Sequence, residues 1–484
     1  MPVILDRRRD ITLESYETVA WNGAAVRFSP GALERIAESR RAFVDLIDNN
    51  PELVIYGVTS GYGQRAYQRF TREERRAHAL KPSTAPRTAF GRTLPPRLSR
   101  GVAFARLASF VEGHAAVTPA LAEGVAAMLD GRPLPNIPAE GNGGAGEILP
   151  LSVLFAEIVE DVRLAEKEAL ALVNGSPASS AMIADAALAA RRRHRLAESV
   201  FALSIEAILA PMEAYDPALA DLWQDPDEAA ALQAFNVLLA GAAETRRPYQ
   251  APVSWRILPR VLGQARRALR QAEEVAESSL SAVTDNPVFL PPGEAGRKGR
   301  ILSNGSYHNA RAYPALDALT AIYADLALLA DRHVSKLLDG KVSLLPDQLL
   351  AGEGYLGCLG FTAAGFAEQA RRAAGATLLP GSEGGGFAQN DVAVPVFHAW
   401  RRHQEAAWCL EASLAVLATV CAQAFRVTAR RAPVPLAEIL EEVRGFVPPM
   451  HEQRALGQEV ERLALHWHAG MAPENDGGSS LPGM

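Results

Sequence analysis

The chain has 484 residues, 48% of them hydrophobic, which is ample apolar material for a large core. With 49 basic against 55 acidic residues the formal charge is −6, and no basic block carries interleaved aromatics, so no nucleic-acid partner is expected. No run of about 18 apolar residues stands out, so no membrane span is expected, and the arginine-bearing stretch Met1 to Asp10 lacks the apolar segment of a signal peptide; a cytoplasmic protein is the default expectation.

Short apolar runs such as Ala24-Ala25-Val26-Arg27-Phe28 alternate with polar turns over roughly the first 60 residues and predict a few strands. The tract from Lys81 to Arg97, with Pro82, Pro86, Pro95 and Pro96, predicts a loop. Beyond it the pattern is helical. Val102 to Met128 is alanine-rich and broken only near Thr118-Pro119. Phe201, Ile205, Ile208 and Leu209 recur at helical spacing, as do Leu410, Leu414, Leu417 and Cys421. The second set lies in a stretch that is apolar on almost every side, so it belongs inside a bundle or at a subunit contact. Arg191-Arg192-Arg193 reads as a solvated helix face. Cys358, Cys409 and Cys421 form no framework and fit buried thiols in a reducing compartment. Met471 to Met484, rich in Gly, Ser and Pro, reads as a disordered tail. The expected organisation is a mixed N-terminal region over 1–200, a long-helix region over 201–470 and the tail over 471–484.

Loops able to carry chemistry interrupt the helices at 56–63, 140–151, 246–263, 284–309 and 380–395. Gly141-Asn142-Gly143-Gly144-Ala145-Gly146 is, by itself, a glycine-rich turn before a helix. Such a turn can take an anion at a helix N-terminus, but this one lacks the Lys-Ser/Thr of a P-loop and the strand of a dinucleotide site. Tyr56-Gly57-Val58-Thr59-Ser60-Gly61-Tyr62-Gly63 is a flexible turn that can present a phenol to a cleft. A phenol is a weak base at neutral pH unless its environment activates it. In isolation, a structural turn and a packed turn tyrosine are the plainer readings of these two loops. The ten histidines show no pairing with Cys, Asp or Glu at ligand spacing, so no metal site is expected.

Taken together, six ordered blocks change those readings. The Tyr56 loop resembles the Tyr-Gly-Val-Asn-Thr-Gly-Phe-Gly loop of the histidine and phenylalanine ammonia-lyases, whose tyrosine is the catalytic base. Leu170-Ala171-Leu172-Val173-Asn174-Gly175-Ser176 is similar to their Ala-Leu-x-Asn-Gly-Thr, whose asparagine lies by the cofactor. Arg247-Pro248-Tyr249, followed by Arg256-Ile257-Leu258-Pro259-Arg260-Val261-Leu262-Gly263, resembles the block that supplies a second tyrosine and the arginine gripping the substrate carboxylate. Thr284-Asp285-Asn286-Pro287 is the family's Thr-Asp-Asn-Pro unchanged, and Gly305-Ser306-Tyr307-His308 looks like Gly-Asn-Phe-His. Gln389-Asn390-Asp391-Val392 resembles Asn-Gln-Asp-Val of the phenylalanine enzymes. Asn390, where the histidine enzymes carry Glu, argues against an imidazole substrate. The resemblance covers roughly residues 15–430.

The departures bear on function. Glu140 to Leu151 is similar to the family's cofactor segment, Gly-Ser-x-Gly-Ala-Ser-Gly-Asp-Leu-x-Pro-Leu. There Ala-Ser-Gly cyclises and loses water to give the methylidene-imidazolone electrophile (MIO), with its methylidene carbon drawn from the serine Cβ. Here Ala145 is followed directly by Gly146 and the serine is missing, as if cleanly excised. MIO is therefore expected to be absent, and no other cofactor is indicated. Thr59 replaces the loop asparagine, extra residues Gln250 to Trp255 separate Tyr249 from Arg256, and the connection from Pro150 to Asn174 is shortened. The family's active-site histidine has no settled counterpart. His78 is nearest by type, although a solvated helix histidine among Glu74, Arg75 and Arg76 is its plainer reading; a count from Gly113 falls near Pro86 instead.

The resemblance implies a mainly α-helical protein with a long central bundle. It also implies a homotetramer with sites shared between subunits: Tyr56 from one chain, Ala145, Gly146 and Asn174 from a second, Tyr249 and Arg256 from another. In that frame Tyr56, Tyr249 and Asn174 are the catalytic candidates, and Arg256, Tyr307, Asn390 and Gln389 the substrate-binding ones. The leading expectation is an MIO-independent lyase or isomerase acting on an activated small molecule. Three alternatives stay open: an ammonia-lyase or aminomutase with another means of activation, an inactive ligand-binding homologue, and a purely structural helical protein.

Overall fold

The structure, a computed structural model, describes residues 1–62, 65–80, 84–293, 299–382, 384 and 388–473. Gly63, Lys81 to Ser83, and the tail from 474 onward fall outside the described residues. Of the expected tail, Met471 closes a helix over Gly457–Met471 and is buried, as is Ala472.

Long helices dominate the chain. Pro177–Ala207, Leu258–Leu280, Ala312–Leu338, Leu359–Ala373 and Val396–Val427 pack on one another as a bundle. Their starts follow ordinary capping chemistry. Pro177 and Pro259 sit in the first turn, where a missing N–H costs nothing. Thr118 caps Pro119–Ala127 by accepting from Leu121 N at 3.2 Å, which is why the Val102–Met128 helical tract breaks there. The break is wider than the sequence suggests: a helix over Pro96–Arg106 ends in a 3-10 turn, and regular helix resumes only at Pro119.

Alanine-rich faces let the bundle helices approach closely. The Leu410–Cys421 stretch is buried on every side at the centre of Val396–Val427, as its composition predicts. Val396–Val427 and Ala312–Leu338 are, contrary to expectation, long and apolar enough to cross a membrane; 94% and 61% of their apolar windows are instead buried inside the molecule. Strands are few and short. Val3–Leu5 pairs in parallel with Val26–Phe28, and Val288–Leu290 pairs antiparallel with Arg300–Leu302.

One apolar core runs from Leu5 to Ala472. The expected boundary at 200/201 falls inside Pro177–Ala207, whose two halves are both buried in that core, so the helix belongs to both halves of the chain. A smaller cluster of Phe43, Ile47, Ile55, Val58, Ala116, Leu170 and Phe289 ties the Tyr56 loop to the segment leading into Asn174. Two surface expectations are corrected. Arg193 is buried and pairs with the buried Glu411 at 2.7 Å, because the triple-arginine run turns one side chain into the bundle. Cys358 is exposed, unlike Cys409 and Cys421.

Candidate active site

The Tyr56 loop is a compact turn. Ile55 O accepts from Val58 N and Thr59 N, each at 3.0 Å, and from Ser60 N at 3.2 Å. Thr59 serves this turn: its hydroxyl donates to Leu53 O and accepts from Ile55 N, both at 2.7 Å. Gly57 has φ +66°, and a Cβ there would stand 2.5 Å from Leu170 Cδ1, so the loop lies against the Glu168–Val173 helix. Tyr56 is thereby held at a cavity wall, 36% exposed.

Asn174 is fixed by the Thr-Asp-Asn-Pro block. Its Nδ2 donates to Asn286 O at 2.5 Å, and Ser176 N donates to Thr284 Oγ1 at 3.0 Å. Between them Gly175, at φ +102°, packs so closely that a Cβ would lie 2.8 Å from Thr284 Oγ1. Asp285 is fully buried and ion-paired with the equally buried Lys167, which also donates to Ala115 O at 2.9 Å. Burial pushes the Lys167 ammonium down and Asp285 opposes the shift. Arg106, also fully buried, donates to Asn174 O, and burial lowers it to about 10.

The glycine-rich segment is laced to the 380–395 loop. Gly143 O accepts from Ser382 Oγ at 2.8 Å and Gly144 O from Val394 N at 3.0 Å. On its other side Glu147, completely buried, accepts from Ala178 N and Ser179 N at the start of Pro177–Ala207, at 2.6 and 2.7 Å. Burial raises this carboxyl to about 7 against the lowering effect of those donors. A Cβ on Gly146 would sit 3.5 Å from Tyr307, so the turn lies against that ring. Glu140 to Leu151 spans as many residues as the family's cofactor segment. Without a gap, Gly144-Ala145-Gly146 stands at Ala-Ser-Gly, so a substitution accounts for the missing serine and an excision is not required. In either register no hydroxyl is present there, and the tripeptide does not fit the precursor of MIO.

These elements enclose a cavity of about 550 Å³. Tyr56, Ala145, Gly146, Asn174, Tyr307, Gln389 and Asn390 all line it within one chain. The expectation that Tyr56 and the Ala145-Gly146 turn come from different chains is therefore corrected, because the small apolar cluster binds the Tyr56 loop to its own chain's 168–175 segment. Tyr249 and Arg256 do not join them. Tyr249 is 77% exposed, and Arg256, at the end of a short helix over Val253–Arg256, is exposed with its Nε donating to Ala251 O at 3.1 Å. His78 is not a solvated helix residue: it is half-buried at the end of Arg72–Ala79 and lines the cavity, as does Pro86. The resemblance offers His78 only as nearest by type, and the run of charges around it favours the solvated reading that its burial corrects. Among the described residues there is no group of three or more His, Cys, Asp or Glu able to hold a metal ion.

A long-helix bundle carrying a tyrosine loop and a glycine-rich turn on one cavity defines an ammonia-lyase type of scaffold. The aromatic amino acid lyase family model matches residues 11–162 and 153–445, and the chain belongs to that family. It is 27% identical to histidine ammonia-lyase of Deinococcus radiodurans over 95% of this chain and 92% of that one. It is 30% identical to the Streptomyces griseus histidine ammonia-lyase over 68% of each. The fold matches tyrosine aminomutase from Streptomyces globisporus with a TM-score of 0.85, at 23% identity and covering 97% of both chains.

Proposed function

We propose that the protein is an MIO-independent lyase or isomerase of this family, removing or returning a proton on a substrate that carries its own activation. The carrying observation is the pairing of Ala145, which has no hydroxyl, with a cavity that keeps Tyr56, Asn174 and Tyr307. MIO supplies an electrophile that lets a poorly acidic proton leave with ammonia. Without it, each missing ~1.4 kcal/mol of transition-state stabilisation costs about tenfold in rate, which makes ordinary phenylalanine, tyrosine or histidine deamination impractical. A proton α to a thioester or ketone, or on a quinonoid or vinylogous system, needs no such help. Aromatic carboxylates with that activation suit the site: Tyr56 acts as acid or base, Asn174 hydrogen-bonds a developing oxyanion, and Tyr307, with Gln389 and Asn390, bounds the ring. Such chemistry belongs to specialised metabolism in the cytoplasm.

Tyr249 and Arg256 complete this site from a neighbouring subunit of a homotetramer. Their exposure, outside a cavity furnished by the rest of the chain, supports that role. Arg256 then offers a planar fork to the carboxylate. The native mass should be near four chains of 51.8 kDa.

The relatives named as histidine ammonia-lyases favour a second reading, ammonia elimination with another means of activation. Intact mass, an ultraviolet difference spectrum and ammonia assays with phenylalanine, tyrosine and histidine separate the two. An unmodified mass and no ammonia support the first reading. A mass short by two waters, or ammonia above a Tyr56→Phe control, overturns it.

A further inference from the structure

We infer that the substrate carries an extended, uncharged apolar arm beyond the ring that Tyr307 bounds, seated along Ile148, Phe155 and Val159; this rests on the reading above of an aromatic carboxylate in the cavity. Ile148, Ser152, Phe155 and Val159 all line that space. They stand at i, i+4, i+7 and i+11, which is one face of the two short helices over Ile148–Leu154 and Ala156–Asp161. Phe155 N donates to Leu151 O at 3.0 Å and Val159 N to Phe155 O at 3.2 Å, so the helical rise continues across their junction. At about 1.5 Å per residue this wall is roughly 16 Å long. It starts beside Gly146, against which Tyr307 lies, and leads away from that ring. Ala169 and Val173, four residues apart on the helix over Glu168–Val173, line the same space.

The size and chemistry of this wall exceed the needs of one ring. The cavity's volume of about 550 Å³ lies within the roughly 300–1,000 Å³ that encloses drug-sized ligands, far more than a single ring with a three-carbon acid occupies. Ile148, Val159, Ala165, Ala169 and Val173 are only half-buried, which leaves apolar surface for a ligand to cover. The charged groups on that side are matched within the protein. Glu166 pairs with Arg40 at 3.0 Å, Arg75 with Asp48 at 2.6 Å and Lys167 with Asp285, while Arg87 Nη2 donates to Ala156 O at 3.4 Å. A charged arm would lose its hydration and gain no partner, whereas an alkyl or aryl arm covers the wall with no polar group to desolvate. The wall is also this chain's own. The connection from Pro150 to Asn174 is shorter than the one it resembles, and these three short helices take up most of it.

Calorimetric titration of the full-length protein with cinnamate and its 4-ethyl, 4-butyl and 4-hexyl derivatives tests this. Each added methylene should tighten Kd about three- to fourfold, so the hexyl compound should bind at least about a hundredfold more tightly than cinnamate. Val159→Trp fills the far end of the wall and Ala169→Leu narrows its middle. Each variant, checked for native helicity and assembly, should remove most of the gain for the hexyl compound and leave cinnamate within about twofold of wild type; either one that folds is sufficient. A Kd that stays constant along the series overturns the proposal and leaves the proposed function intact. An equal gain in the wild type and in the variants also overturns it, since the arm then lies elsewhere. Binding of no member, cinnamate included, counts against the aromatic-carboxylate reading and removes the basis of both.

Discussion

The carboxylate of Glu147 accepts from both the amide and the hydroxyl of Ser179, at 2.7 and 2.5 Å. This contact joins the glycine-rich turn to the first turn of a 31-residue bundle helix, so the cavity floor inherits the rigidity of the bundle. It also buries an acid whose folded value is raised from 4.5 to about 7. Because the folded state binds the proton more tightly than the unfolded one, the linked stability is fully present below pH 4.5 and is lost as pH rises to about 7. The size of that loss is on the order of 3 kcal/mol. In urea titrations at pH 4.5 and pH 8, the wild type should lose about that much relative to Glu147→Gln. Parallel pH dependence in the two proteins would show that folding does not raise the Glu147 carboxyl above its unfolded value.

Lys167 and Asp285 form a pair with no solvent exposure, and Lys167 has a left-handed backbone at φ +75°. Removing one partner strands a buried charge, which typically costs about 3–5 kcal/mol. Asp285→Ala should therefore destabilise the protein by that order, and should disorder the Asn174 turn that Asp285 supports. Lys167→Met combined with Asp285→Leu should recover most of the loss, since neither charge then remains. A double variant as unstable as the single would show that packing, and not charge, holds the turn.

The convergence of Tyr56, Asn174, Ala145, Tyr307 and Asn390 was legible because each lies in a short motif whose glycines and polar caps act locally. Gly57 and Gly175 are required by close approach, to Leu170 and to Thr284, and such glycines mark turns wherever they stand in a chain. What was not legible depends on pairings with no local period. Lys167 meets Asp285 across 118 positions and Arg193 meets Glu411 across 218. His78 shares its helix with exposed charges, so its sequence context is that of a solvated face even though its own ring turns inward. Tyr249 and Arg256 resemble the family's block with six extra residues between them, Gln250 to Trp255, and they lie outside the cavity of their own chain; a short motif carries no information about where its segment packs.

Gly57 offers a test of how the Tyr56 loop is seated. Gly57→Ala meets both a left-handed backbone and Leu170 Cδ1 at 2.5 Å, and should destabilise by about 1–3 kcal/mol. Gly141→Ala has a similar φ of +69° with open space around it, so only the backbone term applies and the loss should be smaller. Adding Leu170→Ala to Gly57→Ala should recover part of the difference, as read from urea midpoints. Equal losses at the two glycines would mean that Leu170 yields freely and the loop is not pressed against it.

The cavity also predicts what would follow if the missing hydroxyl were supplied. Cyclisation of an Ala-Ser-Gly tripeptide needs the third residue's nitrogen brought to the first residue's carbonyl. The turn is already tight in this sense, since a Cβ on Gly144 would stand 3.3 Å from Gly146 O. The Gly144 carbonyl is also oriented by the 3.0 Å bond from Val394 N. Gly144→Ala combined with Ala145→Ser restores the tripeptide in the ungapped register. The double variant should have an intact mass short by two waters and a new near-ultraviolet band, and sodium borohydride should bleach that band by reducing the electrophile. Gly144→Ala alone should keep its full mass. A full mass in the double variant would mean that the backbone, and not only the side chain at 145, has left the cyclising geometry, so that recovering the electrophile would require changes in the 380–395 loop as well.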